Sequence, residues 1–573
     1  MRHPSLLSCS LPLLLQLTPG SAFPIIGQGV FINASSSGGS RGAVSSESSI
    51  CSKIGIDTIA LGGTAADAMV ATTLCVGVIG MYHSGIGGGG FMLVRDKNGV
   101  YEAIDYRETA PAAAFRDMYE HNPNASVFGG LAVGVPGELR GLEYLHRKYG
   151  ILPWKTLVMP AVRVARDGFR VNEDLVRYME AASADNNTFL VDDPTWAEDF
   201  APNGTLVQLG DTITRKRYAD SLEKIANEGV DVFYKGGIAK SMIDLIQKTN
   251  GTMTLEDLKN YTVDVKPPLN ITYGDYRLFT TDAPSSGAVM FSILKTMEEY
   301  PVQDLIDTNL TTHRFVEAMK FAYGARLEFG DPAFVQNVTD IEGWLLSNDT
   351  AQDIRHRILD NQTQAVEAYD PLSLYNPESH GTSHIVSADA SGLTVTSTTT
   401  INLLFGAQIM TPDTGIILNN EMDDFSQPGR RNAFGFAPSP SNYIAAGKRP
   451  LSSITPIIAE FAVNCSLFFA TGAAGGSRII SATTQVAWHI LTGNMSMHDA
   501  IAEPRLHHQL LPDMLMLEDG FDNSTAESLT GKGHEVEWMA PGTSAVQGVM
   551  RLWDGRFDAV GETRQVNSGG YSI

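Results

Sequence analysis

The chain has 573 residues, which is enough to bury a large core. Lys and Arg number 41 against 64 Asp and Glu, which gives a formal charge of −23 at pH 7. Nucleic-acid phosphates and anionic membrane surfaces would repel so acidic a chain, so a general nucleic-acid binder is excluded. With 43% hydrophobic and 18% charged residues, the composition is that of a globular rather than a disordered protein.

The amino terminus predicts export from the cell. Arg2 and His3 precede a short apolar run, and small residues follow at 20–22, so residues 1–22 are predicted to be a signal peptide cleaved after Ala22. An uncleaved membrane anchor is the alternative, but the run is shorter than the roughly 20 residues that a span needs. We expect a secreted glycoprotein, with cell-surface or vacuolar retention left open. Asn-x-Ser/Thr sequons begin at Asn33, Asn124, Asn186, Asn203, Asn250, Asn260, Asn270, Asn309, Asn337, Asn348, Asn361, Asn464, Asn494 and Asn523.

The four cysteines fit an exported chain. Cys9 would leave with the signal peptide, and Cys51 and Cys75 are the predicted disulfide. This pairing leaves Cys465 as an odd cysteine, which we expect to be a free thiol. Because no Cys-x-x-Cys spacing is present, the cysteines do not indicate a structural zinc site.

Patterning along the chain predicts alternating helices and hairpins. Small residues on several faces at 62–80 indicate a helix packed on all sides, and alternation at 91–106 indicates a hairpin. Amphipathic helices are predicted within 220–261 and over 313–330, followed by a loop in the last fifteen or so residues of 348–381. Two alternating strands are predicted within 382–406, and a further hairpin within 453–476. The fold class is therefore mixed α and β with antiparallel sheets, in one unit without a clean linker.

Two motifs suggest chemistry that their context does not support. Gly85, Gly87 and Gly90 form a literal G-x-G-x-x-G, but a helix pattern precedes it and a strand pattern follows, the reverse of a dinucleotide site. We interpret it as a glycine turn where backbones approach closely, and we expect it to lie beside the active site. His507 and His508 are adjacent and do not share a helix face, and no His-Glu-x-x-His is present. We therefore predict no catalytic metal.

Chemistry is indicated by a set of motifs rather than by any one of them. In Gly381-Thr382-Ser383-His384, a hydroxyl residue opens a predicted strand directly after a flexible glycine. The accompanying motifs are DYRETAP at 105–111, TSTTTIN at 396–402, NNEMDDFS at 419–426, RPLSSITP at 449–456 and TGAAGGSR at 471–478.

Taken together, these motifs resemble the γ-glutamyltransferases, also called glutathione hydrolases, over nearly the whole chain after the signal peptide. The resemblance implies an N-terminal-nucleophile hydrolase fold of the α+β class, a four-layer αββα sandwich with antiparallel sheets. It also implies a precursor that cuts itself between Gly381 and Thr382. The large subunit would be 23–381 and the small catalytic subunit 382–573, and the two would form one intertwined globular unit.

The chemistry of threonine agrees with that cleavage site. A threonine hydroxyl is a poor nucleophile, whereas a terminal α-amine has a pKa of about 7.7–8.0 and can act as a base near neutral pH. Cleavage before Thr382 would create this amine on the nucleophile's own residue, and Gly381 would permit the strained turn required. By resemblance, Thr400 supports the Thr382 hydroxyl, although packing across the strands would also explain its position.

The resemblance also assigns residues to an α-amino acid substrate. Its α-carboxylate needs a planar cation and hydroxyl groups, its α-ammonium needs acids, and the tetrahedral oxyanion needs preplaced backbone donors. Turns, a solvated acidic loop and a surface salt bridge are the structural alternatives for these residues. The predicted carboxylate group is Arg107, Ser452 and Ser453, the ammonium group is Asn402, Glu421 and Asp424, and the oxyanion donors are the amides of Gly475 and Gly476.

The predicted function is that of a γ-glutamyltransferase without a cofactor or metal. Thr382 would form a γ-glutamyl ester from glutathione or another γ-glutamyl compound, and water, an amino acid or a peptide amine would resolve it. One alternative is a cephalosporin-type or glutaryl-type acylase on the same scaffold, although its substrate need not carry an ammonium group. The other alternative is a non-catalytic secreted binding protein that keeps the fold.

One departure from the family bears on the access route. Leu404 stands where some members carry an aromatic residue that covers the pocket. The lid-like stretch 427–443 offers Phe434 and Phe436 instead. The acceptor preference therefore does not follow from the resemblance.

Overall fold

The fold is described here from a computed structural model, for residues 40–370, 372, 374–375, 381–430 and 437–573. The predicted signal peptide, Asn33, Phe434, Phe436 and part of the predicted loop before Gly381 lie outside these residues. Within them, no helix combines the length and the apolar character needed to cross a membrane.

The strands are short and are numbered in chain order. They are β1 Gly42–Ser46, β2 Gly89–Arg95, β3 Tyr101–Asp105, β4 Phe169–Arg170, β5 Thr212–Ile213, β6 Asp264–Lys266, β7 Leu269–Tyr273, β8 Tyr276–Thr280, β9 Leu374–Tyr375, β10 Ser383–Asp389, β11 Thr394–Thr400, β12 Ala437–Pro438, β13 Ile457–Phe461, β14 Leu467–Ala474, β15 Leu506–His507, β16 Leu515–Glu518, β17 Val536–Met539, β18 Ala545–Arg551, β19 Phe557–Val560 and β20 Gly569–Ser572.

The α-helices are numbered in the same way. They are α1 Ser49–Ala60, α2 Ala65–Ile79, α3 Glu138–Tyr149, α4 Trp154–Asp167, α5 Glu173–Ala182, α6 Phe189–Asp192, α7 Pro194–Phe200, α8 Lys216–Glu228, α9 Asp231–Lys235, α10 Gly237–Lys248, α11 Leu255–Asn260, α12 Gly287–Glu298, α13 Thr308–Arg326, α14 Val338–Leu345, α15 Asn348–Arg357, α16 Arg478–Leu491, α17 Met497–Ala502 and α18 Asn523–Gly531.

Two antiparallel sheets form the centre of the molecule. The first has the order β20-β1-β10-β11-β2-β3-β6, and the second has the order β19-β18-β14-β13-β8-β7. Strands from before and after residue 382 contribute to both sheets. In the first sheet, for example, β1 lies between β10 and β20, and in the second, β13 pairs with β8. The sheets are therefore interleaved in sequence, as the resemblance implies.

Side-chain alternation explains the layers. Val386 and Ala388 of β10 pack with Ala470 and Val549 of the second sheet, in a core between the two sheets. Ile385 points to the other face and joins a core with α2, α3, α4 and α8. The outer face of the second sheet packs in the same way on α12, α13 and α16. The order of layers is helix, sheet, sheet, helix, which confirms the predicted αββα sandwich.

The elements predicted from patterning are confirmed, with shifted ends. Helix α2 is buried along its whole length, because its small residues let neighbours approach on every side. A capping box at Thr64 and Asp67 fixes its start. The predicted hairpins are β2–β3, β10–β11 and β13–β14. The helix predicted from residue 313 begins earlier, at Thr308, where Asp307 caps it.

The glycine-rich segment before β2 is a site of close backbone approach, as predicted. A Cβ on Gly88 would lie 2.0 Å from the carbonyl oxygen of Thr400, and one on Gly87 would lie 2.1 Å from that of Ile417. Only glycine lets these chains pass at this distance. Because Thr400 is a predicted site residue, the segment lies directly beside the site.

The cysteine predictions have two outcomes. Cys51 of α1 and Cys75 of α2 form the predicted disulfide. The expected free thiol at Cys465 is wrong, because Cys465 is also disulfide-bonded. The prediction rested on discarding Cys9 with the signal peptide, which leaves an odd number of cysteines.

Candidate active site

Thr382 lies buried at the start of β10, near the middle of the first sheet. The preceding Gly381 has a φ of +94°, and a Cβ there would lie 2.5 Å from the carbonyl oxygen of Asn402. Any other residue would be strained in its backbone and would clash with this carbonyl. The backbone at Gly381 therefore requires glycine.

Hydrogen bonds hold the Thr382 hydroxyl and the Gly381 carbonyl side by side. The Gly475 amide donates to Thr382 Oγ1 at 3.3 Å, and Thr400 Oγ1 donates to the Gly381 carbonyl oxygen at 2.9 Å. Thr400 ends β11, whose antiparallel pairing with β10 returns it to this point. Its hydroxyl in turn accepts from the Asn402 amide at 2.7 Å. The arrangement suits attack of the hydroxyl on its own preceding carbonyl.

The two predicted oxyanion glycines lie between β14 and α16. Gly475 has a φ of +129° and Gly476 one of +61°, and a Cβ on Gly475 would lie 2.6 Å from the Thr543 carbonyl oxygen. Amides at a helix amino terminus have no partners within the helix and favour negative charge. Gly475 is the one that contacts Thr382, and Gly476 adjoins it at the start of α16.

Arg107 connects two of the predicted binding segments. Its guanidinium is buried and forms ion pairs with both Glu421 and Asp424. It also donates to the carbonyl oxygens of Pro450 at 3.4 Å and Leu451 at 3.3 Å. The structure therefore brings the predicted carboxylate-binding arginine directly onto two predicted ammonium-binding acids.

The electrostatics of this cluster are unusual because three acids surround one cation. Burial alone would lower the pKa of Arg107, but the negative charges of Glu421 and Asp424 outweigh it and raise that pKa above its ordinary value. Burial raises the pKa of Glu421, and the positive charge of Arg107 partly offsets this rise. Burial likewise raises the pKa of Glu108 to about 8, and the positive charge of Arg107 partly offsets this rise. An added ammonium group would stabilise the ionised form of each acid.

The predicted serines lie next to this cluster. Ser453 Oγ accepts from Arg326 Nη2 at 3.0 Å, and Arg326 Nε donates to Ser286 Oγ at 2.9 Å. Ser286 Oγ in turn donates to the Ser452 carbonyl oxygen at 2.6 Å. Arg326, at the end of α13, therefore supports both serines, and nothing in its sequence context marked it.

Asn402 joins the nucleophile to the acidic segment. Its φ is +69°, and its side-chain nitrogen donates to the Asn420 carbonyl oxygen at 3.1 Å. Asn420 directly precedes Glu421, so a continuous chain of contacts runs from Thr382 to Arg107. All ten predicted catalytic and binding residues therefore belong to one connected region.

A cavity of about 330 Å³ opens at the nucleophile. Of the predicted residues, Gly381, Thr382 and Gly475 line it, and Leu404 lines it as well. The residues of the cluster around Arg107 are buried and do not line this cavity. The other lining residues are His83, Arg177, Tyr178, Ala181, Ala474, Arg478, Gly542, Thr543, Ser544, Ala545 and Gln565.

Among the described residues, one group could hold a metal ion. His313 and Glu317 lie one turn apart on α13 and meet His534. Hydrogen bonds already account for the group, because His313 bonds His534 at 2.8 Å and Glu317 accepts from Tyr369 at 2.6 Å. None of the three residues lines the cavity at Thr382, so the group is separate from the site.

The αββα layers, together with a threonine hydroxyl held beside its own preceding carbonyl, are the features of an N-terminal-nucleophile hydrolase. Comparison with solved structures agrees. Cephalosporin acylase from Bacillus halodurans superimposes with a TM-score of 0.81 at 22% identity, covering 96% of this chain and 99% of that one. At this identity the likeness shows the fold alone. The γ-glutamyltranspeptidase of Helicobacter pylori gives a TM-score of 0.53 at 29% identity, over 60% of this chain and 96% of that one.

Sequence comparison identifies the family. The family model described as Gamma-glutamyltranspeptidase matches residues 51–571. A protein named glutathione hydrolase proenzyme from Arthroderma benhamiae is 51% identical over 95% of this chain and 94% of its own length. A glutathione hydrolase from Aspergillus flavus is 48% identical over 92% of this chain and 89% of its own length. The chain therefore belongs to the γ-glutamyltranspeptidase family.

Proposed function

We propose that this enzyme hydrolyses glutathione and transfers γ-glutamyl groups, after cutting its own chain between Gly381 and Thr382. The observation that carries the proposal is the paired contact at this bond: Gly475 donates to the Thr382 hydroxyl and Thr400 donates to the Gly381 carbonyl. The similarity to glutathione hydrolases, at up to 51% identity among the relatives described above, supports the choice of substrate. It also favours this function over an acylase, for which the likeness is at 22% identity.

Self-cleavage would proceed as an acyl shift. Thr382 Oγ1 attacks the Gly381 carbonyl carbon, and the developing oxyanion is stabilised by the Thr400 hydroxyl. The C–N bond then breaks and the departing nitrogen takes the proton that the hydroxyl loses, which leaves an ester on Thr382 Oγ1 and a free α-amine on the same residue. Water hydrolyses this ester, giving a Gly381 carboxylate and restoring the Thr382 hydroxyl.

The matured site would use the new amine as its base. The amine takes the proton of Thr382 Oγ1 as the hydroxyl attacks the γ-carbonyl carbon of the substrate, and that proton passes to the leaving amine. The Gly475 and Gly476 amides would stabilise the oxyanion. A γ-glutamyl ester remains, and water releases glutamate, or an acceptor amine takes the acyl group.

The cluster around Arg107 would hold the substrate's α-amino acid end. Arg107 is suited to the α-carboxylate, with Ser452 and Ser453 beside it. Glu421 and Asp424, with Asn402, are suited to the α-ammonium. Because Arg107 pairs with both acids in the structure, a bound zwitterion would replace internal ion pairs by equivalent ones, so neither charge would lose a partner.

We further propose that the mature protein is a secreted glycoprotein of two chains, 23–381 and 382–573. Sequon asparagines in the described residues are exposed, except for the half-buried Asn309, so they are open to glycan attachment. The Cys51–Cys75 disulfide is typical of an oxidising compartment. The interleaved strands would keep the two chains together after cleavage.

The test is to compare wild type with Thr382→Ala after deglycosylation and reducing separation. We expect two chains in the wild type, the smaller beginning Thr-Ser-His-Ile, and one uncut chain in the variant. The wild type should also release glutamate from glutathione. A single uncut and inactive chain in both proteins would contradict the proposal.

A further inference from the structure

The cavity beside Thr382 has a cationic wall. Arg177 of α5 and Arg478 at the start of α16 both line it, whereas its described lining residues include no Asp or Glu. This is unexpected in a chain with a net charge of −23. For comparison, Arg107 and Arg505 form ion pairs with carboxylates. Arg177 has a carboxylate partner in Asp174, so an anionic ligand would chiefly supply a partner for Arg478.

Arg478 lacks an acidic partner within the described residues. Its Nη2 contacts the sulfur of Met516 at 3.5 Å, and its Nε is buried without a hydrogen-bond partner. Leaving a guanidinium N–H buried and unpaired is costly. A carboxylate is the group that satisfies two such N–H donors at once, in the fork geometry of arginine.

Arg177 is held in place but keeps donors free. Its Nη2 donates to the Tyr178 hydroxyl at 2.8 Å and to Asp174 at 3.3 Å, and its guanidinium lies 4.6 Å from the centre of the Tyr178 ring. Its Nε is buried without a partner. Its Nη1 lies against Gly542, where an added Cβ would be only 2.9 Å away. Arg177 is therefore positioned by its neighbours and can still donate hydrogen bonds to an anion.

Gln565 gives an independent indication that a peptide binds here. It lines the same cavity and is only 5% exposed, yet its side-chain oxygen has no hydrogen-bond partner. An amide oxygen accepts from N–H groups, so it is suited to a peptide amide or an amine. A ligand with an N–H near Thr382 and a carboxylate farther out would satisfy Gln565 and the arginines together.

We propose that Arg478, assisted by Arg177, binds the terminal carboxylate of the peptide that leaves Thr382 and of the acceptor that attacks the ester. This inference rests on the proposed function and narrows its substrate class to γ-glutamyl peptides with a free carboxyl terminus. The residues of the cluster around Arg107 are buried and none of them lines this cavity, so the γ-glutamyl end would lie outside it. The rest of the peptide must extend into the cavity that the two arginines line.

The test compares glutathione with its glycine amide, which differs only in the terminal charge. A lost charge-assisted hydrogen bond changes affinity roughly 10- to 100-fold. We expect wild-type kcat/KM to favour the acid by about that factor, mainly through KM. Arg478→Gln should lose most of this preference, and Arg478→Lys should keep part of it, as a point charge without the fork. Arg147→Gln, at an exposed arginine of α3, is the matched control and should keep the wild-type ratio.

The outcomes separate this inference from the proposed function. Equal wild-type rates on both substrates would overturn the inference and leave the proposed function intact, whereas no turnover of either would remove the proposed function. A loss in Arg478→Gln that is equal for both substrates would assign Arg478 a structural role and overturn the inference. If Arg478→Gln does not mature, inhibition of the wild type by cysteinylglycine and by its amide decides the question. The acid should inhibit about tenfold or more tightly, and equal inhibition would overturn the inference.

Discussion

The hydroxyl of Thr400 provides the sharpest test of self-cleavage. It donates to the Gly381 carbonyl oxygen at 2.9 Å, which is the oxygen that gains negative charge when Thr382 attacks. A hydrogen-bond donor already directed at this oxygen stabilises the transition state more than the ground state. Thr400→Val keeps a similar shape at the end of β11 and removes the donor.

The size of the effect follows from comparable donors. Removing one oxyanion donor typically slows a reaction by about 10²–10³-fold, or roughly 2.7–4 kcal/mol of barrier. The same change also deprives the Asn402 amide of its acceptor, now 2.7 Å away. That loss should lower the free energy of unfolding by about 1–3 kcal/mol. Cleavage is therefore expected to slow far more than folding is impaired.

The assay follows the disappearance of the uncut chain with time, on reducing gels of the deglycosylated protein. Thr400→Ser keeps the hydroxyl and should be cut at close to the wild-type rate. Thr398→Val removes a buried hydroxyl two residues away, which bonds His384 at 2.8 Å, and is the matched control. If Thr400→Val folds and is cut as fast as wild type, the hydroxyl does not stabilise this carbonyl and the reasoning is refuted.

Three further changes test other parts of the site. Arg107→Gln would leave two carboxyl groups buried without their cation, so we expect a loss of about 3–5 kcal/mol in the free energy of unfolding, and a more than ~100-fold fall in kcat/KM for glutathione. Gly475→Ala should block maturation on a gel, because its Cβ would lie 2.6 Å from a carbonyl oxygen in a backbone conformation with φ +129°. Burial raises the pKa of Glu138 from 4.5 to about 8. Between these pH values the folded chain holds a proton that the unfolded chain has released, so stability falls as pH rises. Glu138→Gln cannot titrate, so its melting temperature should gain on wild type from pH 5 to pH 8, corresponding to at most about 4 kcal/mol.

Each change has a control. Gly343→Ala, where a Cβ meets nothing within 4 Å, should mature normally. Arg147→Gln should leave glutathione turnover intact. For Glu138→Gln, the control is its melting-temperature difference from wild type at pH 5, where Glu138 of the folded wild type is still protonated. Unchanged kcat/KM in Arg107→Gln, full maturation of Gly475→Ala, or a melting-temperature difference for Glu138→Gln that is constant with pH would each contradict the corresponding argument.

Local patterning in the sequence was sufficient for the helices and hairpins predicted above but not for their assembly. The β10–β11 hairpin follows from alternation around a turn, because its contacts are close in sequence. The strands β1 and β20 are short and lie at opposite ends of the described chain, and they pair with each other. No local pattern encodes such a pairing, since it depends on the whole core being formed. The four layers came only from the family resemblance.

The site shows the same division. Thr382, Thr400 and Gly475 lie in motifs that the sequence marks, and the structure joins them by hydrogen bonds. Arg478 lies within the TGAAGGSR motif. Its proposed role, however, depends on the lack of an acidic partner in the folded protein, which the motif does not show. Arg177 lies in an ordinary amphipathic helix, and only tertiary packing brings it to the cavity. Whether a charged side chain lacks a partner depends on the folded structure, so the spacing of residues in the sequence does not reveal it.

The interleaving of the two sheets affects how the cleaved protein can refold. Since β1 lies between β10 and β20, cleavage at Gly381–Thr382 would sever the chain without freeing either piece. Thermal denaturation of the mature enzyme would release two polypeptides that must find each other again, so recovery after heating should depend on protein concentration. The uncut Thr382→Ala chain would recover by a unimolecular route. Self-cleavage would thus produce the active enzyme but would make its refolding slower and dependent on concentration.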